Sequence, residues 1–155
     1  MLEQPEKGKG VRKTAARGAA AGRRGVRILV VEDNVINQIF MRKVLEDRGY
    51  SVTAVPDGRQ AIEILKKRPF NLVLMDVDMP VMDGLEATKL IRSASSKVLD
   101  PKIPIIALTA CAMEGDREKC LKAGMVDYIS KPVLAEELLE IVRAWHAGEA
   151  EEAGA

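Results

Sequence analysis

The chain is predicted to fold as an α/β domain, with a parallel sheet between helices on both faces. Two observations carry this. Short apolar runs and segments of helical periodicity alternate five times, the pattern of consecutive strand–helix units whose crossovers leave neighbouring strands parallel. The run Leu72-Val-Leu-Met75 is also continuous rather than alternating, as a strand buried on both faces should be.

Each element has its own local reason. Ile28-Leu-Val-Val31 is the first strand. Asn34 caps a following helix whose expected inward stripe is Val35, Ile36, Ile39, Phe40, the stem of Lys43, Val44 and Leu45, and Gly49 stops it. Tyr50 to Val55 alternates like a strand near a sheet edge. Asp57-Gly58 opens a second helix with Ala61, Ile62, Ile64 and Leu65 on its buried side, and Pro69 ends it before the strand at Leu72. Leu85, Ala87, Leu90 and Ile91 mark a third helix. Residues 93–102 read as a loop, because Pro101 and Pro104 prevent helix ahead of the strand Ile105-Ile-Ala-Leu108. Met113, Cys120 and Leu121 mark a fourth, weakly amphipathic helix. Tyr128-Ile-Ser130 is a fifth strand, and Leu134, Leu138, Leu139, Ile141, Val142 and Trp145 give the last helix.

The strand ends carry the chemistry. Burying a lone carboxylate is costly, so Asp76 belongs where the strand from Leu72 emerges. Glu32 and Asp33 end the first strand, Thr109 the fourth, and Lys131-Pro132 the fifth. In a parallel sheet these ends share one edge, the edge at which ligands bind in open α/β folds. Three carboxylates brought together there, Glu32, Asp33 and Asp76, do not all ionise comfortably without a cation. Hard oxygen donors and an incomplete protein shell suit Mg²⁺, which keeps several waters and shares phosphate oxygens.

Four segments, Val31-Glu-Asp-Asn34, Leu74-Met-Asp-Val-Asp-Met-Pro-Val-Met-Asp-Gly84, Ala107-Leu-Thr-Ala110 and Ser130-Lys-Pro132, resemble the receiver domain of two-component response regulators. The resemblance covers about Arg27 to Trp145, and the wording Glu32-Asp-Asn-Val-Ile-Asn-Gln38 is most similar to receivers of hybrid sensor histidine kinases. It implies a flavodoxin-like doubly wound (βα)5 sandwich with strand order 2-1-3-4-5, which the repeat count alone does not give. It also implies that Asp76 is the phosphoacceptor, with Thr109 and Lys131 completing the catalytic set. Mg²⁺ (or Mn²⁺) would be held by Asp33 and Asp76 directly, by Glu32 through water and by the backbone carbonyl of Asp78. Thr109 and Tyr128 would form the switch. Asp78 and Cys111 would tune how fast the acyl phosphate hydrolyses. The Lys131–Pro132 peptide bond would be cis.

Physically, a carboxylate attacks phosphorus when it is aligned and the charge on the phosphoryl oxygens is neutralised. Lys131 would hold one of those oxygens as a point charge and the Thr109 hydroxyl another. The chain has no Gly-x-x-x-x-Gly-Lys-Ser/Thr loop, and Lys7-Gly-Lys-Gly10 follows no strand, so ATP is a poor donor. The resemblance supplies one instead: a phosphohistidine on a histidine kinase or histidine phosphotransfer protein. On this reading the domain catalyses its own aspartyl phosphorylation and dephosphorylation without being a stand-alone metabolic enzyme. The face of the fourth helix, fifth strand and fifth helix would switch, and a homodimer could use it.

Length and composition bound the rest. A 155-residue chain with 47% hydrophobic and 30% charged residues is one globular domain with tails. No run approaches the roughly 20 apolar residues of a membrane helix, and the start lacks a secretory core, so a cytoplasmic location is expected. Two cysteines make no disulfide framework, and the single His146, expected at a solvated helix end, argues against a zinc site or histidine triad. Residues 1–25 hold seven Lys/Arg against two Glu, a net of +5 that leaves −4 for the rest of a chain whose total is +1. They are expected to form a basic disordered arm or linker, with the receiver over residues 26–147 and an acidic disordered tail over 148–155. Aromatic residues are 3% of the chain and offer no base-stacking platform, so nucleic acid is not an expected partner. The arm alone keeps nucleic-acid or acidic-partner binding open. Two further alternatives are a phosphate-independent pseudo-receiver, which loss of an acid, Thr109 or Lys131 would favour, and an aspartyl phosphatase, which would need a cap insertion that the chain lacks.

Overall fold

The computed structural model describes residues 25–110 and 113–154. Most of the expected basic arm (residues 1–24) and Cys111 therefore lie outside the described residues. Five strands, β1 (Arg27–Val31), β2 (Ser51–Val55), β3 (Leu72–Asp76), β4 (Ile105–Thr109) and β5 (Asp127–Ser130), alternate with five helices, α1 (Val35–Glu46), α2 (Gly58–Lys67), α3 (Gly84–Arg92), α4 (Glu114–Ala123) and α5 (Ala135–Gly154). All strand pairs are parallel, in the order β2-β1-β3-β4-β5, the order the resemblance implied.

The sheet divides the core in two. On one face Leu29, Val31, Val73, Met75, Ile105 and Ala107 pack against Ala61 and Leu65 of α2, Ala87 and Ile91 of α3 and Cys120 of α4. On the other, Ile28, Val30, Leu72, Leu74, Ile106 and Leu108 meet Met41 and Leu45 of α1 and Leu138 and Val142 of α5. Alternate residues of one strand thus serve opposite layers. Every residue of β3 and β4 is buried, which explains the continuous apolar runs.

Side-chain caps set where helices begin. The carboxamide of Asn34 accepts from Asn37 N, and the carboxylates of Asp57 and Asp83 accept from Gln60 N and Glu86 N. At α1 the expected stripe is corrected. The expected Val44 and Leu45 do pack against the core, together with the unexpected Met41, whereas Val35, Ile36, Ile39 and Phe40 are exposed. The Gln38 carboxamide donates to the Glu32 carbonyl, which fixes the rotation of the first turns and brings Gln38, Met41 and Leu45 to one side. Leu90 and Leu121 are likewise exposed, outside the inward line of their helices, and the exposed Met113 and Leu134 stand one residue before α4 and α5. His146 is half-buried against the Tyr50 ring, with centroids 5.6 Å apart at 83°, rather than at a solvated end. The backbone of α5 stays helical through Gly154, past Gly148, where the sequence predicts a tail to begin; the Glu and Ala residues beyond Gly148 are good helix formers.

Candidate functional site

The parallel register brings the strand ends together. Val31 of β1 lies opposite Met75 of β3, so Glu32 and Asp33 leave the sheet beside Asp76. Asp76 lies opposite Leu108 and Thr109 opposite Ser130, which places Thr109 and Lys131 along the same edge. The backbone N–H of Lys131 donates to the Thr109 carbonyl at 2.8 Å, and the Lys131–Pro132 peptide bond is cis.

Carboxylate oxygens of Glu32, Asp33 and Asp76 lie within 4.8 Å of one another. Asp33 is exposed, while Glu32 and Asp76 are buried. Lys131 answers the two buried acids: its Nζ is 2.8 Å from Asp76 Oδ2 and 3.6 Å from Glu32 Oε1. The other oxygen of Asp76 accepts from the backbone N–H of Asp78 at 3.0 Å, and Glu32 Oε2 accepts from Asn34 N at 3.1 Å. Glu32 Oε1 is buried with no hydrogen-bond partner among the described residues.

The electrostatics follow from that geometry. Burial is the main force that raises the Glu32 carboxyl from 4.5 to about 7; the negative charge of Asp76 adds to it, and the Asn34 N–H and the Lys131 ammonium oppose it. For Lys131, burial alone would lower the pKa, but the hydrogen bond to Asp76 and the attraction of Asp76 and Glu32 outweigh it and the net shift is upward. The site therefore holds an ammonium that stays charged beside more acid than it neutralises.

The residues present fit a hard cation. Three oxygen donors of the right class converge, one of them carries an orphaned buried oxygen, and the acid at the rim is exposed to water that would fill the remaining positions.

Every described site residue expected from the sequence is at this edge except Tyr128, which lies on β5 three residues before Lys131. The side chain of Asp78 is exposed, and Thr109 is buried at the end of β4. Tyr128 is half-buried on β5, and the Arg117 guanidinium of α4 lies over its ring, 5.6 Å from the centroid. Beside it runs a groove of 580 Å³ lined by residues of α4, β5 and α5, including Tyr128, Glu137 and Ile141.

Two contributors were not expected. Gln38 ties the Glu32 backbone to α1, and its place four residues after the cap Asn34 is the only sequence signal for it. Gly84 belongs to a quoted motif, but its role is steric: a Cβ there would stand 2.3 Å from the Asp76 carbonyl oxygen. Gly84 N also donates to Val77 O at 3.0 Å, so the start of α3 is pressed against the backbone that carries Asp76.

Known proteins share this architecture. The profile of the response regulator receiver domain matches residues 28–143. Over 128 residues the chain is 40% identical to the sensor protein GacS of Pseudomonas syringae pv. syringae, covering 83% of this chain but 14% of that protein. The chain thus spans about a seventh of that relative. Among solved structures, the receiver domain of the sensor histidine kinase PA1611 from Pseudomonas aeruginosa, which has a magnesium ion coordinated in its active site cleft, is 45% identical with a TM-score of 0.70, covering 79% of this chain and 98% of that one. The receiver domain of Ssk1 from Saccharomyces cerevisiae, solved with the histidine phosphotransfer protein Ypd1, is 33% identical with a TM-score of 0.75, covering 81% and 91%. By sequence match, strand order and the convergence of acids and lysine on one edge, the chain belongs to the response regulator receiver domain family.

Proposed function

We propose that the domain accepts a phosphoryl group on Asp76 from a phosphohistidine and relays it as a conformational signal. The observation that carries this is the setting of Asp76: a carboxylate buried at the end of the central strand, 2.8 Å from a lysine ammonium and beside two further acids. In the transfer, a carboxylate oxygen of Asp76 attacks phosphorus, the nitrogen–phosphorus bond of the donor breaks, and its electron pair stays with the imidazole. Lys131, whose ammonium already contacts Asp76 Oδ2, would hold a phosphoryl oxygen beside the attacking carboxylate. The Thr109 hydroxyl, at the end of the adjacent strand, would hold another.

Glu32, Asp33, Asp76 and the backbone carbonyl of Asp78 are the groups that would hold Mg²⁺, in keeping with the ion in the PA1611 receiver; Mn²⁺ takes similar oxygen donors. When bound, the ion supplies positive charge that offsets the carboxylates and the phosphoryl oxygens.

A protein donor must cover the mouth of the site to reach Asp76. Beside that mouth, α1 presents Val35, Ile36, Ile39 and Phe40 to solvent, with Ile36 75% exposed. Such a patch suits an apolar helical surface, and the Ssk1–Ypd1 complex gives a relative of this chain a phosphotransfer partner. A histidine phosphotransfer protein or the histidine-bearing helices of a kinase are therefore the proposed partners, in the cytoplasm.

For output, Thr109 and Tyr128 form the proposed switch. When the Thr109 hydroxyl moves onto the phosphoryl group, Tyr128 repacks, and the Arg117 contact and the groove between α4 and α5 change with it. A target or a second copy of the chain would read that face. Asp78, two residues after Asp76, and Cys111, two residues after Thr109 in the sequence, are the proposed tuners of the acyl phosphate lifetime. Residues 1–25 would serve as a linker.

Incubation with a phosphorylated histidine phosphotransfer protein tests the reading. Label should pass to the wild-type chain and not to Asp76→Asn; equal labelling of both would refute it.

A further inference from the structure

The loop between β3 and α3 contains a conformation that its sequence does not favour. Val81 has φ 70°, in the left-handed region that β-branched residues avoid. Met82 N donates to Pro80 O at 2.8 Å across it, so Val81 is the centre of a three-residue turn of the rare, strained hand. Its side chain is also 82% exposed. An exposed valine at such a position has two local costs, backbone strain and wetted apolar surface, and no packing among the described residues offsets either.

The surroundings impose the turn. On one side Met79 is buried in the core. On the other Met82 packs against the same core, Asp83 caps α3, and Gly84 lies against the Asp76 backbone. Anchored before and after, the loop has little choice of path, and Val81 is thrust outward. Glycine or asparagine would occupy the same conformation with less strain. The chain nevertheless places a branched apolar residue there, five positions after Asp76.

Position supplies the occupant. Because β1 and β3 are neighbours in parallel register, the loop carrying Val81 and the start of α1 leave the sheet side by side around Asp76. Any macromolecule that brings a phosphohistidine to Asp76 must cover both. We infer that Val81 is a docking residue for the phosphohistidine-bearing donor, held outward by the strained turn so that it continues the apolar patch of α1 across the mouth of the site. This rests on the phosphoacceptor reading above.

Two variants separate its components. Val81→Thr keeps the branching and the strain but makes the side chain polar; Val81→Gly removes both the side chain and the strain. Each is assayed with acetyl phosphate and with a phosphorylated histidine phosphotransfer domain chosen because it labels the wild-type chain. Both variants should accept from acetyl phosphate at the wild-type rate. Both should lose about tenfold in kcat/KM with the protein donor, mainly through KM, the scale of one lost valine burial. Val81→Gly should also melt at a higher temperature than the wild type. The inference is overturned if the protein donor labels both variants as well as it labels the wild type, if acetyl phosphate and protein donor lose equally, or if no phosphotransfer domain labels a wild-type chain that acetyl phosphate does label. Failure of acetyl phosphate to label the wild-type chain would instead remove the phosphoacceptor reading itself.

Discussion

Lys131 Nζ stands 2.8 Å from Asp76 Oδ2 although the two residues are 55 positions apart in the chain. One ammonium thereby answers a buried acid at the end of β3 and another just past β1, since Glu32 Oε1 is 3.6 Å away. Replacing Lys131 by methionine leaves those acids facing each other. The fold should lose about 1.5–3 kcal/mol, the range for a hydrogen bond to a charged group, and Mg²⁺ should restore part of the loss. Denaturant titrations with and without the ion check this; an unchanged midpoint in metal-free buffer would mean that Lys131 does not stabilise the cluster.

Glu32 makes the metal-free fold sensitive to pH. Its folded-state pKa is raised to about 7 from 4.5, so between those values the folded chain binds a proton that the unfolded chain has released. Stability from this group is therefore full below pH 4.5 and is lost as pH rises through 7. Glu32→Gln should flatten this part of the profile and be more stable than the wild type at pH 8, with the two converging near pH 4. Urea midpoints across the range measure the difference, and a gap that widens toward low pH would have the wrong sign.

Gly84→Ala tests the close approach beneath the site. The added Cβ would meet the Asp76 carbonyl oxygen at 2.3 Å, and that oxygen belongs to the backbone, with no flexible end to yield. A loss of about 1–3 kcal/mol is expected, as for overpacking, together with weaker Mg²⁺ binding as Asp76 is displaced. Stability and metal titration of the same sample decide it; a variant that matches the wild type in both would show that α3 can move away freely.

Much of this site was legible in the sequence because continuous apolar runs locate buried strands and the one or two residues that follow each run gather at one edge of the sheet. Glu32, Asp33, Asp76, Thr109 and Lys131 all follow from that one rule. The strand order did not follow from the repeat count and needed the motifs. The inward face of α1 was misread because Val35, Ile36, Ile39 and Phe40 also recur at helical spacing; periodicity gives a face but not which way it points. The burial of Met41 and the Gln38 contact with Glu32 show the rotation. Gly84 and Val81 were illegible for a different reason: a glycine forced by a passing carbonyl and a valine forced into a left-handed turn are consequences of tertiary packing that residue type does not announce.

The switch prediction concerns distance. Beryllofluoride, standing in for a phosphoryl group, should move backbone amide resonances most from Ala110 onward through α4, β5 and α5, and least in α2. Thr109→Ala should still bind it but with a weaker response around Tyr128. Hydrogen bonds worth about 1–3 kcal/mol each fall short of the roughly 5.5 kcal/mol needed to reverse a 1:99 balance, so intermediate shifts are expected. Equal changes in α2, or a full response without the hydroxyl, would contradict the coupling.

The central claim, that Asp76 is a phosphoacceptor in a cation-dependent site, is met most directly by intact mass after incubation with acetyl phosphate and Mg²⁺. The wild-type chain should gain the mass of one phosphoryl group, the gain should vanish when the ion is chelated, and Asp76→Asn should remain unmodified. A folded wild-type chain that gains nothing, or an Asp76→Asn chain that gains as much, would contradict the account.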